Sequence, residues 1–270
     1  MNGLIQQRLS FEANRLKPRD LDTYSAVLKF YYFQANQSPE SAVQAFSALE
    51  EVVRKDNDQG IASALLATIY GNRYMLDYPQ SEESYRKMNE LAENAYKSDP
   101  NNLMVKVVRA FTYFVCNEKV RFFQIADECL KRKPTISVRL GSLAFHYMLY
   151  GGWERGKEIL NQLMVSRVGY PLYFHGATIL YHYRLQAYDS ALAECNRYDV
   201  PSHFWPPMLR IAVLGQLGRQ DEAGPSIDLL YSLKPDFSEK AGYLISRYIK
   251  EEELVNHVID GLNKAGLHTY

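Results

Sequence analysis

Residues 209–235 read LRIAVLGQLGRQDEAGPSIDLLYSLKP. The stretch opens as a helical run that ends at Leu217-Gly218, and a short polar turn follows, Arg219-Gln220-Asp221-Glu222. A second helical run starts near Ala223 and stops before Pro235. Ala223, Ile227 and Leu230 place one small and two bulky side chains on one face, as a helix needs where a neighbour crosses closely at one end. Helix, glycine-containing turn, helix and terminal proline predict an antiparallel helix pair.

The marks return upstream. Pro235, Pro201, Pro134 and Pro100 are spaced 34, 67 and 34 residues apart, and the double gap puts one missing mark near Val168. A small residue followed three later by Tyr occurs at Ala67/Tyr70, Ala110/Tyr113, Ala144/Tyr147 and Thr178/Tyr181, in steps of 43, 34 and 34. A further step of 34 lands on Ala212. Two unrelated markers share one period, and the chain resembles a tetratricopeptide-repeat protein, whose unit is about 34 residues. The resemblance implies an all-α fold, an α-solenoid of about six tetratricopeptide-like helix pairs with capping helices at both ends. The expected layout is one superhelical domain over 1–270, with an N-terminal cap at 1–20, repeats at 21–235 and C-terminal capping helices at 236–270.

Within that frame, apolar Leu4, Ile5, Leu9, Phe11 and Leu16 predict a helix over 1–17, ended by Pro18. Ser38-Pro39 predicts the start of a helix in the first full pair. The connector Asp77–Glu83 is long and accounts for the step of 43; it reads as a tolerated insertion. Glu251-Glu252-Glu253 opens the last helix, where acidic residues suit the positive end.

The last third carries a narrower likeness. Phe204-Trp205-Pro206-Pro207, Leu217-Gly218-Arg219, Asp221-Glu222-Ala223, Leu233-Lys234-Pro235-Asp236-Phe237 and the closing Asp260-Gly261-Leu262-Asn263-Lys264-Ala265-Gly266-Leu267 resemble the C-terminal repeat region of bacterial signalling proteins. In those proteins the repeats follow a nucleotide cyclase or a winged-helix regulator. The likeness implies a sensory or scaffolding part whose output domain is not in this chain.

Composition narrows the function classes. Lys and Arg number 31 and so do Asp and Glu, so nothing suggests the positive excess of a nucleic-acid footprint. No apolar run approaches the ~20 residues of a spanning helix, and no signal-peptide core is visible at the start. No membrane contact and a cytoplasmic location are expected. Cys116, Cys129 and Cys195 form no C-x-x-C pair and read as buried free thiols. Gly151-x4-Gly156-Lys157 matches most of a phosphate loop, but Glu158 stands where Ser or Thr should hold magnesium. The six histidines show no metal spacing, so neither a metal nor a cofactor is expected.

What remains is a surface. The first helices of stacked pairs line a concave groove. Residues one and four places after each small marker are expected to face it: Phe111, Phe114, Phe145, Met148, Ile179 and His182, with His175 one turn earlier and Gln216 in the sixth pair. An apolar, aromatic groove suits an amphipathic helix or extended peptide. The expected role is therefore a non-catalytic interaction module or scaffold in bacterial signalling, with a protein or peptide as partner, a second copy of the chain included. The other reading is a small-molecule sensor or α-helical enzyme, with an enclosed pocket around His175 and His182.

Overall fold

The computed structural model describes residues 18–36, 38–56, 59–131, 138–165 and 170–269. The expected helix over 1–17, Pro134 and Val168 lie outside them. The described residues form fourteen α-helices, one 3-10 turn and no strand. They are α1 (Pro18–Asn36), α2 (Pro39–Lys55), α3 (Gly60–Met75), α4 (Ser81–Ser98), α5 (Leu103–Val115), α6 (Lys119–Lys131) and α7 (Val138–Leu149). There follow α8 (Trp153–Val165), α9 (Phe174–Arg184), α10 (Tyr188–Cys195), α11 (Trp205–Gln216), α12 (Gly224–Leu233), α13 (Phe237–Tyr248) and α14 (Glu252–Lys264). The fold is all-α.

Local chemistry explains many of the boundaries. Ser38 caps α2 by accepting from the Ser41 N–H at 3.2 Å, with Pro39 in the first turn. Asn102 caps α5 by accepting from the Met104 N–H. Pro206 and Pro207 sit inside the first turn of α11, where a missing N–H costs nothing. Gly218 takes φ +69° just after α11, a left-handed position that suits glycine.

Neighbouring helices pack in twos: α1 on α2, α3 on α4, α5 on α6, α7 on α8, α9 on α10 and α11 on α12. The first helices of these pairs also pack in sequence, α1 to α3, α5, α7, α9 and α11. The small markers sit at the crossings, with Ala67, Ala110, Ala144 and Ala212 all fully buried. The glycines of the phosphate-loop-like stretch are structural. Gly151 turns the chain at φ +99°, and a Cβ on Gly156 would come within 2.7 Å of the Ala144 carbonyl oxygen. Buried side chains form two clusters, one from Ala26 to Val108 and one from Met75 to Leu267, and Tyr70 and Tyr96 pack against both.

The C-terminal helices break the pattern. It is α14, not α13, that packs broadly on α11. Gly215 and Gly261 permit that crossing: a Cβ on Gly215 would lie 1.9 Å from the Gly261 carbonyl oxygen. Tyr183 fixes the same helix by donating to the His257 carbonyl at 2.9 Å. Helix α13 instead swings back to α3. There Arg247 donates to the Tyr74 carbonyl and stacks between the rings of Tyr74 and Tyr243, 4.1 Å from each centroid. After α13, the Lys250 N–H donates to the Leu149 carbonyl at 3.0 Å, and Glu251 accepts from the Trp153 indole at 2.6 Å. The carboxylate expected at the start of the last helix thus tethers it to the turn between α7 and α8.

Candidate functional site

The inner stripe of the first helices falls about two residues before each small marker, then one or two after it, then five after it. On α3 these are Leu65, Thr68, Ile69 and Asn72; on α5, Val108 and Phe111; on α7, Ser142, Phe145, His146 and Leu149. Gly176 and Leu180 of α9 and Leu209 of α11 continue the stripe. Helices α1 and α2 close one end with Phe30, Tyr31 and Phe46, while Tyr248 of α13 and Trp205 close another side. Together they line a partly open cavity of ≈ 440 Å³, within the range of small-molecule sites.

The expected groove residues divide. Phe111 and Phe145 reach the cavity wall. Phe114, Met148 and Ile179 are fully buried and present no free face. For Phe114 and Met148 the reason is helical geometry: residues four apart share a face, so the position four after the marker meets the same neighbour as the marker. Met148 accordingly packs where a Cβ on Gly156 would sit. Phe114 packs against Phe122, His146 and Tyr150. Gln216 donates to Asp260 and accepts from Lys264, both of α14.

His175 and His182 do not line the cavity. His175 is 4 % exposed, with Nδ1 3.5 Å from Glu194 and Nε2 3.4 Å from the Tyr170 hydroxyl. His182 is half-buried beside Tyr181. The histidines on the wall are His146 and His203. His146 lies among the rings of Phe111, Phe114 and Phe145, at 4.9, 4.7 and 5.3 Å. Loss of hydration in that setting pushes it down to about 3. Burial likewise brings His203 down to about 4. Both rings are neutral at pH 7, acting as donor or acceptor without charge. Tyr173, whose hydroxyl lies 2.9 Å from Ser142 Oγ, is pushed up to about 12 by burial.

Among the described residues no Asp or Glu is on the wall, whereas Arg73 and Arg139 both are. Arg139 is exposed and donates to the Tyr31 hydroxyl at 3.0 Å. Arg73 is half-buried over the Phe46 ring, and its Nε is buried without an acceptor. Among the described residues no group of three His, Cys, Asp or Glu could hold a metal ion. No helix among them is long and apolar enough to cross a membrane.

Sequence reasoning missed Arg73, His146, His203, Trp205 and Tyr248. His146 follows once the inner stripe is counted from its true offset, whereas Arg73 lies one place beyond that stripe. Tyr248 carries no such signal, because it reaches the wall through the return of α13. No protein-family model matches this chain, and no curated protein matches it either.

Proposed function

We propose that this chain is a tetratricopeptide-like solenoid of six helix pairs that acts by binding, without catalysis, and that its inner face receives one small apolar molecule. The observation that carries this reading is the ≈ 440 Å³ cavity bounded by successive first helices. Its wall combines apolar and aromatic surface with a few polar groups, the composition of a binding pocket. A peptide laid through the middle of the groove is less well supported, since Tyr248 and Trp205 occupy part of that face. A regulatory role follows from the same placement. Because α13 both contributes Tyr248 to the wall and clamps α3, occupancy of the cavity is coupled to how the C-terminal helices dock. A protein partner that reads those helices would complete a signalling module of the kind the repeat likeness implies.

Titration with Nile red, an uncharged apolar dye, tests the reading. One saturable site is expected in the native chain. Val108→Trp, which projects an indole from the wall into the cavity, is expected to abolish it. No saturable site, or equal binding by a folded Val108→Trp variant, would reject it.

A further inference from the structure

The occupant's chemistry can be narrowed, on the reading that the cavity is a ligand site. The wall draws on α3, α5, α7, α9 and α11 in turn, and packed helices lie roughly 8–10 Å apart, so the space runs past several of them. Such a shape suits an extended chain better than a compact ring system. The wall is mostly apolar along this length, and among the described residues its formal charges are those of two guanidiniums with no carboxylate among them.

The two arginines are not equivalent. Arg139 is exposed and already bonded to Tyr31, an ordinary surface arrangement. Arg73 is half-buried, rests on the Phe46 ring at 5.6 Å, and has no carboxylate at ion-pair distance among the described residues. Its Nε is buried with no acceptor. An N–H kept from water without an acceptor is costly, and a carboxylate supplied by a ligand would match the planar fork to which this one belongs.

We propose that the cavity binds a single-chain, long-chain carboxylic acid, with the acyl chain along the stacked first helices and the carboxylate on Arg73. The contact is a charge-assisted hydrogen bond, with no covalent step. The alcohol of the same chain length fills the same apolar space but leaves Arg73 without its counter-charge.

Isothermal titration of the full chain with laurate and with dodecanol at pH 8 tests this. Laurate is expected to bind one to one, about tenfold more tightly than dodecanol, the margin of one hydrogen bond to a charged group. Arg73→Gln is expected to erase that margin while leaving dodecanol binding unchanged, which also shows that the variant is folded. Arg139→Gln is expected to keep the margin. Equal affinities in the native chain, or a margin lost in Arg139→Gln but kept in Arg73→Gln, would overturn the proposal. Nile red binding without laurate binding would remove the acid and leave the cavity reading standing. Failure of Nile red, laurate and dodecanol together would remove both.

Discussion

The Asp77 carboxylate lies 3.0 Å from the Lys234 ammonium, across 157 residues of chain. Lys240 meets the same oxygen at 2.9 Å, and Arg247 stands 3.7 Å from the other. One acid in the turn between α3 and α4 therefore gathers three cations from the C-terminal region. The long connector that reads as a tolerated insertion is where the C-terminal region is fastened back onto the start of α4 and the end of α3. Its backbone is shaped for this, with Asp77 at φ +56° and Gln80 at φ +63°.

Asp77→Ala leaves Arg247, only 6 % exposed in its side chain, without its counter-charge, whereas Lys234 and Lys240 keep Asp236 at 3.1 and 2.8 Å. A loss of about 3 kcal/mol is expected in urea unfolding, typical of breaking a shielded ion pair. Amide exchange along α13 should accelerate more than along α5. Burial raises the Asp77 carboxyl, but Lys240 and Lys234 more than offset this and hold it below the ordinary 3.8. Its stabilising contribution is therefore full above the unfolded value and lost as pH falls through the lower folded value. The Asp77→Ala variant should show a smaller acid-induced loss in that window.

The α11–α14 crossing depends on two absent side chains. Gly215→Ala forces a methyl to 1.9 Å from the Gly261 carbonyl oxygen, and a backbone clash does not relax cheaply. A destabilisation of at least ~3 kcal/mol is expected. Gly242→Ala, inside α13, is the control, since a Cβ there meets only Ile259 Cδ1 at 3.9 Å, an ordinary contact. It should be neutral or stabilising by up to ~1 kcal/mol. Thermal unfolding of the two variants separates them.

Truncation inside the helix stack should act on stability, not on ligand capture alone. Phe114→Ala is expected to cost about 3–5 kcal/mol and Met148→Ala about 2–5 kcal/mol. Phe145→Ala should instead enlarge the cavity and change Nile red affinity with a smaller loss in the urea midpoint. Equal stability losses for all three would place Phe145 in the same packing environment as the other two.

His146 and His203 titrate near 3 and 4 in the folded chain, below the ordinary 6.5. The unfolded chain therefore takes up protons first. The stability tied to the neutral rings is complete above about 6.5 and declines as pH falls toward 4, by up to about 1.4 kcal/mol per pH unit for each histidine. Urea midpoints measured from pH 7 to pH 4 should fall less steeply in His146→Phe/His203→Phe than in the native chain.

The helix pairs were legible because their marks are local. A small residue three before a Tyr, or a proline at a repeat end, states its own packing need within one turn of helix. The helix expected after Ser38-Pro39, the two expected around the turn at 219–222 and the last one opened by Glu251-Glu252-Glu253 are among those found. The candidate site was legible only in part. Phe111 and Phe145 were found from spacing, but Phe114 and Met148 were assigned to the free face because the four-residue offset carries them to the marker's own side. The return of α13 was not legible. Asp77 and Lys234 have no shared period, and a pairing across 157 residues leaves no trace in either neighbourhood. Nor does local sequence reveal that α14 takes the place beside α11; Gly215 and Gly261 are informative only as a pair.

Diffraction from crystals held under xenon tests the cavity on the inner face most directly, because an apolar cavity takes up xenon. Xenon density between Phe111, Phe145, Leu209 and Tyr248 is expected, with α13 fastened at Asp77. An inner face filled by side chains, or α13 lifted away and the space open to solvent without xenon, would contradict it.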